Sequence, residues 1–314
     1  RTFNEELKGK IFFAAEVDDN NGTWFLTDVG ILNGRFVKVP ANNKIQTENI
    51  LNFSYELTTD GPVLWFATTH GAIKAVMPVM SDSEVSLYTT ENSGILSDSV
   101  LSVAVGRNNL QWFGTKKGIS ALSDSKWLTP SYEIDYPKDL FNYFPITVMA
   151  TSQNGDSLYA GTLGAGVARV YRNKVDGISG ASSYAQWGPI ILPSDNVYSI
   201  CITSDGAQWF GTDKGVARHT GYNTLENWTV FNTENGLVDN FVNAIAEDLE
   251  GRLWFGTKGG LSVLIGSEWK SYTVKDGLVN NNILFIKPDK GGRVFLGTDN
   301  GLMVYYEGQL ICYQ

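Results

Sequence analysis

Three observations predict an all-β fold, a seven-bladed β-propeller with a four-stranded antiparallel sheet in each blade. First, one short motif occurs seven times: TWFLTDVGI at 23–31, LWFATTHGAI at 64–73, QWFGTKKGI at 111–119, LYAGTLGAGV at 158–167, QWFGTDKGV at 208–216, LWFGTKGGL at 253–261 and VFLGTDNGL at 294–302. Second, its aromatic anchors (Trp24, Trp65, Trp112, Tyr159, Trp209, Trp254 and Phe295) are 41, 47, 47, 50, 45 and 41 residues apart, the period of a repeated supersecondary unit. Third, β-formers are common, glycine numbers 33 and charged residues are only 18%. A unit of about 45 residues is too small to bury a core alone. Residues 1–314 are therefore expected to close into one domain.

Residues 236–274 serve as the reference unit. FVNAIAED alternates Val242 and Ala244 against Asn243 and Ile245, which predicts the first strand. LEG at 249–251 is a turn, RLWFGT the second strand, KGG a tight loop and LSVLIG the third strand. SEW is expected to turn the chain into WKSYTV, the fourth strand. In WFGT, the aromatic wedges between sheets and the glycine avoids a clash where blades approach. The threonine hydrogen-bonds the following turn, and the later glycine permits a positive φ. Glu247-Asp248 and its looser counterparts (TSDG, TTDG, PDKGG) read as turn signatures between the first two strands. The last unit carries its own fourth strand, QLICYQ. The ring is therefore expected to close by adjacency of the termini, with a strand swap by residues 1–4 as the alternative.

A net charge of −9 and the lack of a Lys/Arg cluster argue against nucleic acid. No apolar run approaches the ~20 residues that span a bilayer. LWFGTKGGL is not a phosphate loop, because its lysine precedes the Gly-Gly pair and a strand follows. Cys201 and Cys312 fall on the first and last strands of different units, so two free thiols are expected. Two histidines, with no H-E-x-x-H and no Cys/His ligand spacing, point to no transition metal and no cofactor. An Asp/Asn run, DDNNG at 18–22, leaves bound Ca²⁺ open.

The joined pattern G-L-x-x-N-x-V-x-x-I-x-E-D-x-x-G-x-L-W-F-G-T-x-x-G-L is clearest at 236–261 and resembles the two-component regulator propeller repeat. It is strong in units three, five, six and seven. It is degraded in units one, two and four, where Leu26, Ala67 and Tyr159 replace consensus positions. The resemblance implies a periplasmic sensor part of bacterial hybrid sensor kinases, several of which respond to oligosaccharides. Such sensors carry two propellers and a β-sandwich before the membrane span. The expectation here is a stand-alone exported propeller, or one propeller of a longer sensor, with any leader removed and periplasmic or cell-surface residence.

Two sets of loops share the face on which the innermost strands begin. Connections between blades supply Asp98, Asp195, Asn240 and Asn281, and loops between second and third strands supply Asp28, His70, Lys116, Lys117, Asp213, Lys214, Lys258, Asp299 and Asn300. These residues either cap turns locally or line a pocket for a polar ligand near the pore. An insertion at 128–144, LTPSYEIDYPKDLFNYF, adds Tyr132, Tyr136, Phe141, Tyr143 and Phe144 on the same face. Its rings suit stacking on sugars or docking a partner, or else they staple the loop. A second insertion, 172–184, is expected to be a flexible connection on the opposite face. The expected function is binding of an oligosaccharide or a protein partner. A propeller-type glycoside hydrolase or lyase and a pure scaffold are the alternatives; no residue is singled out as catalytic.

Overall fold

A computed structural model of the chain describes residues 12–17, 22–27, 30–33, 49–58, 61–77, 84–106, 110–128, 144–152, 155, 157–173, 177–184, 192–220 and 227–313. Within them, seven antiparallel sheets follow one another in chain order. Blade 1 holds β1 (Phe12–Val17), β2 (Thr23–Thr27) and β3 (Gly30–Asn33). Blade 2 holds β4 (Ile50–Thr58), β5 (Gly61–Thr68), β6 (Gly71–Val76) and β7 (Val85–Tyr88). Blade 3 holds β8 (Val100–Val105), β9 (Leu110–Thr115), β10 (Gly118–Ser123) and β11 (Lys126–Leu128). Blade 4 holds β12 (Ile146–Thr151), β13 (Ser157–Thr162), β14 (Val167–Asn173) and β15 (Gly177–Tyr184). Blade 5 holds β16 (Val197–Ile202), β17 (Gln208–Thr212), β18 (Gly215–His219) and β19 (Trp228–Phe231). Blade 6 holds β20 (Val242–Glu247), β21 (Leu253–Thr257), β22 (Leu261–Ile265) and β23 (Glu268–Tyr272). Blade 7 holds β24 (Ile283–Pro288), β25 (Val294–Thr298), β26 (Gly301–Tyr306) and β27 (Gln309–Tyr313).

The first strand of each blade touches that of the next, and β24 touches β1, so the ring is closed. Phe12 and Phe25 of blade 1 pack with Phe285, Phe295, Leu302 and Val304 of blade 7 at the closure. β27 pairs with β26 inside its own unit, as expected. The proposed swap by residues 1–4 lies outside the described residues.

Burial explains why the second strands lack alternation. Every residue of LQWFGT in β9 is buried because neighbouring blades cover both faces. The outer strand β23, EWKSY, is mostly exposed. The motif aromatics join successive blades: Trp65 meets Phe113 edge-on at 5.6 Å, and Trp209 meets Phe255 at 5.5 Å. Around the ring, each hydrophobic cluster draws on two adjacent blades.

Gly256 lies at such a junction: a Cβ there would sit 2.7 Å from Ile283 Cγ2 of the next blade. Gly260, at φ +147°, turns the chain where a Cβ would lie 2.5 Å from the Tyr272 carbonyl oxygen. Thr257 Oγ1 donates to the Gly260 carbonyl at 2.7 Å and accepts from Gly259 N at 3.1 Å. The same threonine-to-glycine bond recurs at Thr68, Thr115, Thr162, Thr212 and Thr298.

Several sequence expectations need correction. The register slips between Val242 and Ala244, so Asn243 bulges and simple alternation fails there. The equivalent slip occurs in all seven blades. The turn before β23 is Gly266-Ser267, because Glu268 and Trp269 already pair with Ile265 and Leu264. Residues 177–184 are not merely a connection: they form β15, because pairing with β14 offsets the weak strand propensity of Gly and Ser. Asp248 does more than mark a turn. It accepts from Glu250 N and Arg252 N at 2.9 and 3.0 Å, and from Arg252 Nε and Trp254 Nε1 at 2.6 and 2.7 Å.

Candidate functional site

The loops flanking the start of the innermost strands form the mouth of the ring. Asp98, Asn240 and Asn281 do the same job in three blades. Their Oδ1 atoms accept from Thr90 N, Thr233 N and Val274 N at 2.7, 2.9 and 2.8 Å. Each bond folds its connecting loop back on itself, as a short side chain with an acceptor oxygen can. Asp195 acts through its carbonyl, which accepts from Gly164 N and Gly166 N at 3.1 and 2.9 Å. Exposed His70 and Asn300 occupy turns after β5 and β25, where their backbone N–H groups donate to Thr68 and Thr298 Oγ1. His70 Nδ1 also lies 2.8 Å from Thr69 Oγ1. Half-buried Phe144 rests on Gly164, where an added Cβ would be 2.8 Å from its ring. Asp28, Tyr132, Tyr136, Phe141 and Tyr143 lie outside the described residues, as do 18–21 of the DDNNG run.

The structure joins Asp213, Lys258 and Asp299, which the sequence placed on this face, to partners that the sequence reading missed. Two positions meet in blades 2, 5, 6 and 7: the residue before the innermost strand and the first residue of the turn after the second strand. In blade 5 Asn196 Nδ2 donates to Asp213 Oδ2 at 3.0 Å, and in blade 7 Asn282 Nδ2 donates to Asp299 Oδ2 at 2.6 Å. In blade 2 Thr69 Oγ1 donates to Asn49 Oδ1 at 3.2 Å. Blade 6 replaces the hydrogen bond with a cation on an aromatic face: Lys258 Nζ lies 3.5 Å from the Phe241 ring centre.

The bulged residues extend these pairs across blades. Tyr198 packs its ring 4.5 Å from that of Phe241. Asn243 donates to Asn282 Oδ1 and to the Ile283 carbonyl, both at 3.0 Å. Thr147 Oγ1 donates to the Val197 carbonyl at 3.2 Å. Between blades 5 and 6 the mouth therefore gathers Tyr198, Phe241, Lys258, Asp213 and Asn196. Burial favours a neutral Asp213, but hydrogen bonds from Ser194 and Asn196, with Lys214 nearby, hold its carboxyl below the ordinary range. Burial, with the Asp213 charge adding to it, raises the Tyr198 hydroxyl. The mouth thus presents an aromatic surface flanked by a fixed anion and an exposed ammonium. The missed partners Asn196, Tyr198 and Phe241 fall in recurring columns of the repeat, the residue before the innermost strand and its bulged second residue.

Among the described residues, no three His, Cys, Asp or Glu side chains are grouped to hold a metal ion. No helix there is long and apolar enough to cross a membrane.

Known proteins place this architecture. The extracellular domain of the hybrid two component system BT3049 from B. thetaiotaomicron superposes with a TM-score of 0.74 at 20% identity, over 98% of this chain and 41% of that one. This chain thus spans about two fifths of that domain's length. A catalytically inactive virginiamycin B lyase from Staphylococcus aureus, solved with quinupristin, gives a TM-score of 0.66 at 14% identity, covering 96% of both chains. YCF48 bound to D1 peptide also gives 0.66 at 14% identity, over 95% of this chain and 92% of that one. Likeness at these identities establishes the fold. No curated protein matches the chain in sequence. The two component regulator propeller family matches residues 236–259. The chain therefore carries the two component regulator propeller repeat, set in a closed ring of seven blades.

Proposed function

We propose that residues 1–314 form one sensor-type binding propeller, exported to the periplasm or cell surface, that takes an oligosaccharide on its loop face. The observation that carries this reading is the Tyr198–Phe241–Lys258–Asp213 group at the mouth. Aromatic faces suit the apolar side of a sugar ring, while a carboxylate and an ammonium pair with its hydroxyls. The family match at 236–259 and the fold shared with a hybrid two component system's extracellular domain support a sensing role. Binding is favoured over catalysis because Asp98, Asp213 and Asp299 are each engaged in holding a loop. A protein partner on the same face is the second reading, favoured by the YCF48 propeller and its bound peptide.

The test is a thermal-shift screen against plant, host and microbial oligosaccharides. A ligand that binds only the folded chain raises Tm by mass action. The expected result is a shift for one glycan class that Tyr198→Ala and Lys258→Ala remove, with Tyr136→Ala, Tyr143→Ala and Phe144→Ala reporting on the inserted loop. A shift that survives the first two substitutions refutes the placement. Silence across the panel, with a protein co-purifying from the native envelope, establishes the second reading.

A further inference from the structure

On the opposite face, a groove of about 400 Å³ opens between blades 5 and 6. Thr203, Asp205, Trp209, Arg218 and Glu247 form its polar part. Phe231, Leu253, Leu264 and Trp269 form an apolar wall. The Arg218 guanidinium lies over the Trp209 ring, 5.5 Å from its centre. Trp209 is only 3% exposed, and neither its Nε1 nor Arg218 Nε has an acceptor among the described residues. Two buried donors without a partner carry a desolvation cost that an acceptor would relieve.

Blades 2 and 6 show which group completes this arrangement, whereas in blade 3 Trp112 Nε1, like Trp209 Nε1, has no acceptor among the described residues. Pairing aligns Thr203 with Asp248: Cys201 faces Trp209 as Ala246 faces Trp254, and each turn residue follows two positions later. The turns match as well, with Gly206 N donating to the Thr203 carbonyl and Gly251 N to the Asp248 carbonyl. In blade 6 the guanidinium on the tryptophan face is that of Arg252, and Asp248 Oδ2 accepts from both Arg252 Nε and Trp254 Nε1. In blade 2 Glu56 Oε2 accepts from Trp65 Nε1 at 2.6 Å. Thr203 brings no carboxylate, and its hydroxyl is bound to Asp205 Oδ1 and the Ala207 carbonyl. Asp205 does not replace it. Asp205 corresponds to the outer Glu250, its side chain is 63% exposed, and it lies 3.8 Å from Arg218 Nη2.

We propose that this groove binds a small organic carboxylate. Its carboxylate takes the seat that Asp248 fills in blade 6, accepting from Trp209 Nε1 and Arg218, and its apolar body rests on Phe231, Leu253, Leu264 and Trp269. One guanidinium between two acids is already realised here, since Arg252 pairs with both Asp248 and Glu250. Glu247 is occupied by Ser204 N and Oγ at 2.6 and 2.9 Å. The site is independent of the loop-face reading.

The test follows the Trp209 indole N–H signal by NMR in the full chain, titrated separately with phenylacetate, hexanoate and neutral phenylethanol. The acids are expected to shift it and phenylethanol to leave it unmoved. Arg218→Ala should weaken binding roughly tenfold or more, as loss of a charge-assisted hydrogen bond does. Thr203→Asp supplies the acceptor from within, so it should raise Tm and abolish binding. Lys116→Ala, on an exposed turn of blade 3, should leave binding of the acids unchanged. A peptide that binds with a free C-terminus but not when amidated also supports the seat and identifies the carboxylate's source. The proposal is overturned if neither acid moves the signal, if phenylethanol binds equally well, or if folded Thr203→Asp binds as the parent does. Should Thr203→Asp fail to fold, unchanged affinity in folded Arg218→Ala is equally decisive.

Discussion

Replacing Asp248 by Ala tests how one turn residue holds blade 6. Its side chain is 4% exposed and receives four N–H groups: two from the turn backbone, one from Arg252 and one from the Trp254 indole. Removing one partner of a buried ion pair costs about 3–5 kcal/mol, mostly because the other partner is left desolvated. Arg252 is 17% exposed and keeps Glu250 at 2.7 Å, which places the loss near the lower end of that range. Trp254, at 1% exposure, keeps no alternative acceptor on Asp248 and cannot turn to water without repacking. Unfolding entropy of ~2.1 cal/mol/K per residue gives about 0.7 kcal/mol/K for 314 residues. A loss of ~3 kcal/mol therefore lowers Tm by roughly 4–5 °C, measured by calorimetry on matched samples. Asp248→Asn should recover less than half of this. Its amide oxygen can serve the turn, but its NH₂ then faces the donors of Arg252 and Trp254. A Tm for Asp248→Ala within about 1 °C of the parent would refute the reasoning.

Four further predictions follow from the blade junctions and the titrating groups. Gly256→Ala forces a methyl to 2.7 Å from Ile283 Cγ2 and should cost ~1–3 kcal/mol in urea unfolding; Gly259→Ala, against Asp239 Cβ at the same distance, probes the turn rather than the junction. Burial pushes the Cys201 thiol up to about 12, with the Glu247 charge adding to it, so native chain at mildly alkaline pH should alkylate at Cys312 before Cys201. The unfolded Cys201 thiol ionises near ~8.5, so from there to about 12 stability should fall as pH rises, and Cys201→Ser should flatten that slope. The Asp213 carboxyl is held below its usual range, so its contribution is present above the unfolded value of ~3.9 and is lost as pH falls through the folded value. Denaturant midpoints of the parent and Asp213→Asn should therefore differ at neutral pH and converge on acidification.

Most of the frame was legible because each motif position has a local physical reason. Trp254 must cover a neighbouring sheet, Gly256 must leave room for Ile283, and Thr257 must bond Gly260; the same column of residues repeats along the chain. Departures arose where partners come from outside the motif. Residues 177–184 look too poor in β-formers for a strand, yet β14 offers them a ladder. Asn243 alternates correctly on paper, but the bulge re-aims it toward Asn282. Asp98, Asn240 and Asn281 were legible as either caps or pocket residues, and each ties its loop down through a bond to Thr90, Thr233 or Val274.

The repeat count, the strand order within a unit and closure into a ring are all written in the chain, because periodic burial and turn chemistry are encoded within each repeat of about 45 residues. Which side chains meet is fixed once the blades pack against one another. Phe241 reaches Tyr198 from the next blade, and Trp209 and Arg218 share a groove wall with Leu253 and Trp269. Such pairings join residues of neighbouring blades far apart in the chain. Their distances are set by ring closure and by the blade-to-blade packing of Trp on Phe, and no single repeat contains either.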